Sequence, residues 1–564
     1  MSSLIRATLA ALLFFPLAAR GAEKSGSPAG GEVTPPPPAT VGGRPAEAPK
    51  PPAKAVEEPV FRLPELVIIG ENQARIMAQK ESLTGSPLKG LHEAPLLEKE
   101  ESSVTALRQR EPALVARPTR TGTGVAVRIE GGTDGWVGGG VWAGRQTDHS
   151  TIGVDLDAST LKGEPVGTGH AGGWQAGAAV SGGWTGDTPR WLSWLSLGAD
   201  PDLVHASAGW REQWRDLPVA GPDARRRLTR LGVSGDASRA AWSTEERLEV
   251  VHLRTPVRSV GAAGLRANGS LHVWGNGPVA VEFAGRGEGE LADAAGDHLL
   301  AGGTLEASYI PADRWRYQAG IRMEGVFGGR VFAGSLRPVG GAAWTTPLGP
   351  TVTAVFSPSL EAPWVSREAG ESPYSFFRAR LVPERCLADL EVAGTHEVWD
   401  GSSARVAYRV TNVRDALTWG EAPGTGLFFP AALSRLRVGE FGVNGRYAGL
   451  RPFAIDAGAR WRAVGATGGH VANLARAEGR GGLEWSWRTI TARADVEVVR
   501  SRSRGIGGGT LDPFATLGLG LSWVPKPRLE VRLRGSNLNG ADVERWAGYP
   551  EPRRFVSLGA VAAF

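Results

Sequence analysis

Cysteine is almost missing: Cys386 stands alone in 564 residues. It rules out an internal disulfide framework and leaves no partner for a Cys-based zinc or redox pair. Methionine (3) and tyrosine (6) are scarce, and beyond the N-terminus no apolar run approaches the ~18–20 residues of a membrane helix. A helical membrane protein is therefore excluded, whereas a strand-built one is not. Charge is sparse at 21%, and the net charge of +5 is too small in so long a chain to indicate nucleic acid. What the chain has in excess is glycine (79) and tryptophan (20). The glycine lacks the three-residue period of collagen.

Met1–Gly21 has the form of a secretory signal, with Arg6 ahead of the apolar stretch Ala7–Ala18 and small residues before Ala22. Residues 22–59 form a Pro-rich linker. Eleven prolines between Ser27 and Glu65, four of them consecutive at Pro35–Pro38, predict a disordered, semi-rigid spacer. Residues 60–120 form a short segment opening on Phe61–Gly70, in which Glu65-Leu66-Val67-Ile68-Ile69 is a β-branched run stopped by glycine. A strand at the end of a flexible arm suits pairing with a partner's sheet edge, although packing against its own domain fits the pattern equally well.

From Thr121 onward all 20 Trp appear, and 70 of the 79 Gly fall in these 444 residues. About ten residues alternate in polarity, a Gly/Pro/Asp/Asn turn follows, and the unit recurs. In Leu517–Trp523 the odd positions are Leu or Trp, while the even ones are Gly518, Gly520 and Ser522. Val406, Tyr408 and Val410 alternate with Arg405, Ala407 and Arg409 in the same way. Period two places the two sets on opposite faces of a sheet.

The spacing of Trp174 and Trp184 decides which face is wet. At ~3.3 Å per residue and a tilt of ~40°, ten residues project to roughly 25 Å, the height of an outer-membrane apolar band. The final strand carries Val556, Leu558, Ala560, Ala562 and Phe564 on one parity. The expected fold is all-β: a transmembrane antiparallel β-barrel over 121–564, of about 22 strands within a range of 16–24. Twenty-three alternating segments are found, one of them at 191–198.

Three stretches resemble TonB-dependent receptors. Asn537-Leu538-Asn539, then Tyr549-Pro550-Glu551-Pro552-Arg553-Arg554 and a last strand ending on Phe564, resembles that family's closing hairpin. Leu381-Val382-Pro383-Glu384-Arg385 with Asn412–Ala416 is similar to its mid-barrel segment, and Glu65–Gly70 to its energy-coupling stretch. The resemblance implies an outer-membrane receptor that binds or transports a solute, with Glu65–Ile69 docking on a TonB-like transducer. It also implies insertion by the barrel-assembly machinery through the C-terminal strand, and contact with outer-membrane lipid and lipopolysaccharide. One departure stands out: only residues 71–120 separate Gly70 from the first strand, where the family carries a full plug domain. The alternative is a plugless structural or export-conduit barrel whose Pro-rich arm recruits periplasmic partners.

Other chemistry finds little support. The nine histidines show no ligand spacing, no nucleophile elbow or phosphate loop is present, and neither cofactor nor metal is expected. Gly505–Gly509 reads as a hairpin loop and Glu245-Glu246 as turn residues. Arg225-Arg226-Arg227 reads first as a solvated turn and second as an attractor of lipopolysaccharide phosphates.

Overall fold

A computed structural model describes residues 122–564 apart from short stretches at turns and loops, of which 186–202 is the longest. The N-terminal signal, the Pro-rich arm and the Glu65–Ile69 segment lie outside the described residues, as does 191–198. The other 22 alternating segments each correspond to one strand of a closed antiparallel barrel.

In chain order the strands are β1 Gly122–Gly132, β2 Val137–Gln146, β3 Ser150–Leu161, β4 Gly173–Thr185, β5 Leu203–Asp216, β6 Arg225–Arg239, β7 Trp242–Arg254 and β8 Ser259–Asn276. There follow β9 Val279–Ala292, β10 His298–Ala312, β11 Trp315–Gly328, β12 Val331–Thr345, β13 Thr351–Phe356 resumed at Ser359–Glu361, β14 Glu384–Val398 and β15 Ser402–Ala422. The last seven are β16 Leu427–Leu450, β17 Phe453–Thr467, β18 Ala477–Trp487, β19 Ile490–Val499, β20 Phe514–Lys526, β21 Leu529–Ser536 and β22 Phe555–Ala563. Each pairs with its neighbour in sequence. The ring closes where β1 meets β22, from Ala126↔Ala563 to Gly132↔Ser557. Phe564 and Val125 then exchange backbone hydrogen bonds of 2.8 and 3.3 Å, so the chain end is sealed into the wall. Closure removes both sheet edges, which lipid could not satisfy.

Alternation sorts the two faces. On β11 the odd positions Trp315, Tyr317, Ile321, Met323 and Phe327 are exposed to the outside, while Arg322 and Glu324 face the lumen. Aromatics collect near both ends of this outer band. Trp315 stacks on Trp344 at 5.5 Å and Trp485 on Trp487 at 6.2 Å at one end. Trp174 meets Trp214 edge-on at 6.2 Å and Phe327 meets Phe332 at 4.8 Å at the other. These are the interfacial girdles of a membrane barrel.

The lumen wall is laced with ion pairs. Arg409 grips Asp389 through two bonds of 2.6 and 2.7 Å. Arg462 joins Glu440 and Glu478, and Arg493 joins Asp456, Glu484 and Asp495. Lumen-facing glycines such as Gly518 and Gly520 leave room for these long side chains.

The two ends differ. Nine of the ten connections at the end holding Gly122 and Phe564 are two to five residues long, whereas the other end carries loops up to 362–383. Short turns face the periplasm and long loops the exterior in barrels of this kind. Strand limits depart from the sequence reading mainly around that longest loop. The alternation over 376–393 reads as one strand in the sequence, yet Phe376 and Phe377 belong to the loop, and β14 begins only at Glu384. Glu245 and Glu246 lie inside β7 rather than in a turn, because β7 continues without a break from Trp242.

The outer face predicts a directional effect. Leu305→Arg, mid-strand on the lipid side, should cost about 2–4 kcal/mol in reversible folding into bilayers. Ser308→Arg on the lumen face of the same strand should cost about 1 kcal/mol or less. Equal costs would show that the faces are misassigned.

Candidate functional site at the loop end

The mouth of the barrel is occupied by its own loops. The described residues of the 362–383 connection turn inward after β13: Val365, Ala369 and Phe377 are buried against lumen-facing Leu228, Val251, Leu253, Val260, Ala262 and Ala292. This apolar floor comes from the loop-end residues of β6–β9 on the lumen side. Burying such surface is the main gain in docking the loop.

Glutamates on the lumen wall satisfy donors of the loop and of the strand end that leads into it. The Trp364 indole donates to Glu288 at 2.7 Å, Val365 N–H to Glu290 at 2.8 Å and Leu360 N–H to Glu324 at 2.7 Å. Glu288 is also held by Arg266 at 2.9 Å and Arg286 at 2.8 Å, so its charge is compensated. Gly264 lies directly under the Trp364 ring, and any side chain there would collide with it. The absence of a Cβ is what allows the indole to approach the wall.

A second connection crosses the mouth. The Arg226 guanidinium, fully buried, donates to the carbonyl of Ser375 at 3.0 Å, to Ser375 Oγ at 3.1 Å and to the Ala369 carbonyl at 2.5 Å. On the other side of the same loop, Phe376 N–H donates to the Phe428 carbonyl at 2.8 Å, and Phe428 N–H to Tyr374 at 2.9 Å. Arg226 belongs to β6 and Phe428 to β16, ten strands apart in a ring of 22, so the bridge joins nearly opposite walls. Arg226 is therefore neither a solvated turn residue nor a phosphate attractor. At the first turn of β6 its even position points it inward, while Arg225 and Arg227 point out.

Above this bridge lies an apolar cluster drawn from five loop regions, including Leu217, Tyr374, Trp419, Phe428, Leu511, Trp546 and Tyr549. Tyr374 and Tyr549 stack with ring centroids 3.6 Å apart, and Trp546 meets both Trp419 (6.1 Å) and Phe428 (4.9 Å) edge-on. Burial pushes the Tyr549 phenol well above its ordinary range, with Tyr374 and Glu421 adding to the shift. Gly505, at φ +100°, carries its loop close under the Trp419 carbonyl, which accepts Ile506 N–H at 3.2 Å.

The C-terminal motif shapes the loop that supplies Trp546 and Tyr549. Asn537 adopts a left-handed φ of +49°. Its amide donates to the carbonyls of Ala541 (2.7 Å) and Pro552 (3.1 Å) and accepts Ala541 N–H at 2.9 Å. Leu538 packs on Gly535, and Asn539 bonds both Ala515 O (2.8 Å) and Leu517 N (3.0 Å) of β20. Pro550 and Pro552 lie on the return arm. Arg554 is exposed beside Gly540, and Phe564 is at the opposite end of the barrel. Tyr549 thus joins the cap, Asn537 and Leu538 shape its loop, and Phe564 has a separate place in the closure seam. In the mid-barrel segment, Arg385 pairs with Arg414 across β14 and β15, next to a register shift between Cys386 and Ala388, and Asp415 takes φ +57°.

Sequence reasoning missed Trp364 and Ser375, and it read Arg226 with its neighbours as a solvated turn. The parity of 225–227 was the available signal for Arg226. Among the described residues, no group of His, Cys, Asp and Glu is placed to hold a metal.

Similar folds are known. The barrel superposes on the FrpB iron transporter from Neisseria meningitidis (TM-score 0.61, 11% identity, 79% of this chain and 81% of that one). It superposes equally on the siderophore receptor PirA from Acinetobacter baumannii (TM-score 0.61, 9% identity, 80% and 81%). The copper transporter OprC gives a TM-score of 0.57 at 15% identity, over 80% and 81%. No protein-family profile matches the chain, and no curated protein matches it by sequence. At such identities the likeness establishes the fold alone, the closed 22-stranded antiparallel barrel described above.

The bridge predicts that Arg226→Ala will uncouple the cap without unfolding the barrel. In planar bilayers the variant should show open conductance or frequent openings where the parent is quieter, while Arg480→Ala, on the lumen wall, should resemble the parent. Unchanged conductance in both would show that the Arg226 bridge does not hold the mouth. Asn537→Gly tolerates the left-handed φ but loses three side-chain bonds, and should lower the apparent melting temperature of the loop end. Asn537→Ala, which adds backbone strain, should lower it further.

Proposed function

We propose that this chain is an outer-membrane receptor that binds a solute at the cell surface and conveys it across the membrane. The observation supporting this over a structural or export conduit is the cap. A conduit needs an unobstructed lumen, whereas here loops from opposite walls are hydrogen-bonded and packed across the mouth. A barrel closed in this way must be opened, which suits a gated carrier. The proteins sharing its fold at the greatest similarity described above are named as transporters or receptors of iron, siderophores and copper. None is named as an enzyme, and the reading for this chain is likewise non-enzymatic.

In this proposal the N-terminal arm lies in the periplasm and residues 22–59 act as a spacer. Glu65–Ile69 adds as a strand to the sheet of a TonB-like transducer, whose pull would be transmitted through residues 71–120. Phe564 and the C-terminal strand engage the barrel-assembly machinery, and the outer band contacts membrane lipid and lipopolysaccharide. A metal or siderophore as the solute is in keeping with the printed names of the fold neighbours.

A peptide covering Phe61–Gly70 should bind the transducer's periplasmic domain, measured by calorimetry. Val67→Pro should abolish the binding by removing a backbone donor. No binding by the parent peptide would sink energy coupling. A large, steady conductance of the intact parent protein would instead favour the conduit.

A further inference from the structure

The outer wall of β4–β8 carries a feature that solute transport does not use. Arg225, Arg227 and Arg254 sit at the loop end on lipid-facing parity, and exposed Arg258 lies in the adjoining connection. Arg227 and Arg254 are direct cross-strand partners, an arrangement of like charges that disfavours pairing. Among the described residues, two carboxylates enter the group: Glu212 meets Arg227 at 2.6 Å and Asp216 meets Arg225 at 3.1 Å. A third, Asp293, flanks the next strand beside Gly261. Four arginines face two paired carboxylates, so the cluster keeps an excess of positive charge. Exposed His252 bonds Ser259 Oγ at 2.9 Å at its edge.

The guanidinium groups are also placed at a defined height. Arg225 and Arg227 lie 5.8 and 5.2 Å from the Trp214 ring centroid, and Trp214 belongs to the loop-end aromatic girdle. That is the level of lipid headgroups. Directly below, on the same parity of the same strands, the wall is indented. Ala178 and Ala208 are small, and Val180, Trp210, Leu231 and Val233 border an open apolar groove of about 360 Å³. Leu231 is four residues below Arg227, about 13 Å along the strand. A basic cluster at headgroup level above an apolar groove at acyl-chain level is a composite surface, and each half restricts what the other can hold.

We propose that this wall binds one lipid: a multiply phosphorylated, multi-acyl glycolipid of the outer leaflet. Its phosphates are held by Arg225, Arg227, Arg254 and Arg258, and an acyl chain lies in the Ala178–Ala208 groove. Arginine suits the task because its planar fork takes two phosphate oxygens at once. A phosphate between Arg227 and Arg254 also removes the like-charge conflict across β6 and β7. The assignment rests on the loops facing the cell exterior, as in the function proposed above.

The test uses the full-length protein purified in detergent and stripped of lipid, then titrated with diphosphorylated hexa-acyl lipid A and followed by native mass spectrometry. The parent should bind one lipid and should bind the dephosphorylated form about tenfold or more weakly. Arg227→Ala with Arg254→Ala should reduce binding by a similar factor, and Ala208→Phe should reduce it by filling the groove. Folding of each variant is checked by its resistance to unfolding in sodium dodecyl sulfate before heating. Equal binding by folded variants, equal binding of the dephosphorylated lipid, or equal retention of phosphatidylglycerol would overturn the proposal. Orientation is tested apart, by reacting Asp542→Cys on intact cells with a membrane-impermeant maleimide. No labelling there would refute the outward-facing loops while leaving the binding result in detergent to stand by itself.

Discussion

The buried Arg226 guanidinium is the interaction on which the closed mouth depends. It is a charge taken out of water, and it is tolerated because three acceptors of one loop surround it. That loop is in turn hydrogen-bonded to Phe428 on the opposite wall. Without this bridge, the loop would lean on one wall only, through Val365, Ala369 and Phe377 and through the bonds of Trp364 and Val365 to Glu288 and Glu290. With it, the loop becomes a beam across the barrel, and Tyr374, Phe428, Trp419, Trp546 and Tyr549 have a surface on which to assemble.

The same wall does two physical jobs because strand parity separates them. Arg225, Arg226 and Arg227 are consecutive and chemically identical, yet the middle one is the buried tie of the cap and its neighbours face the membrane. Glu288 and Glu290 of β9 likewise point inward and accept N–H groups from the loop, with Gly289 between them on the lipid side. The lumen's polarity therefore does more than line a water-filled space: it supplies acceptors for a segment that has no sheet of its own.

Much of the architecture was legible in the chain. The alternation of Leu517–Trp523, the Trp174–Trp184 spacing and the aromatic terminus at Phe564 together indicated a lipid-facing barrel of about 22 strands, and that is the fold observed. Where limits slipped, the reason was local. Phe376 and Phe377 continue an apolar pattern but spend it on contacts with β6–β9 and β16, not on a lipid-facing strand. Glu245-Glu246 looks like a turn because adjacent carboxylates are common there, whereas in β7 one faces each side of the wall. The candidate site was much less legible. Tyr549 and Asn537 were singled out through a family resemblance, but their roles in the cap required knowing that Tyr374, far away in sequence, stacks on Tyr549.

By itself, then, the sequence determined what is periodic: strands, their two faces, the girdles and the closing terminal strand. Each of these follows from side-chain order within about ten residues. The tertiary structure decided what is not periodic, namely which loops meet over the lumen and which arginine of three is buried. Those outcomes depend on contacts between β6 and β16, half a ring apart, and ring geometry is a property of the closed barrel that no local stretch of chain encodes.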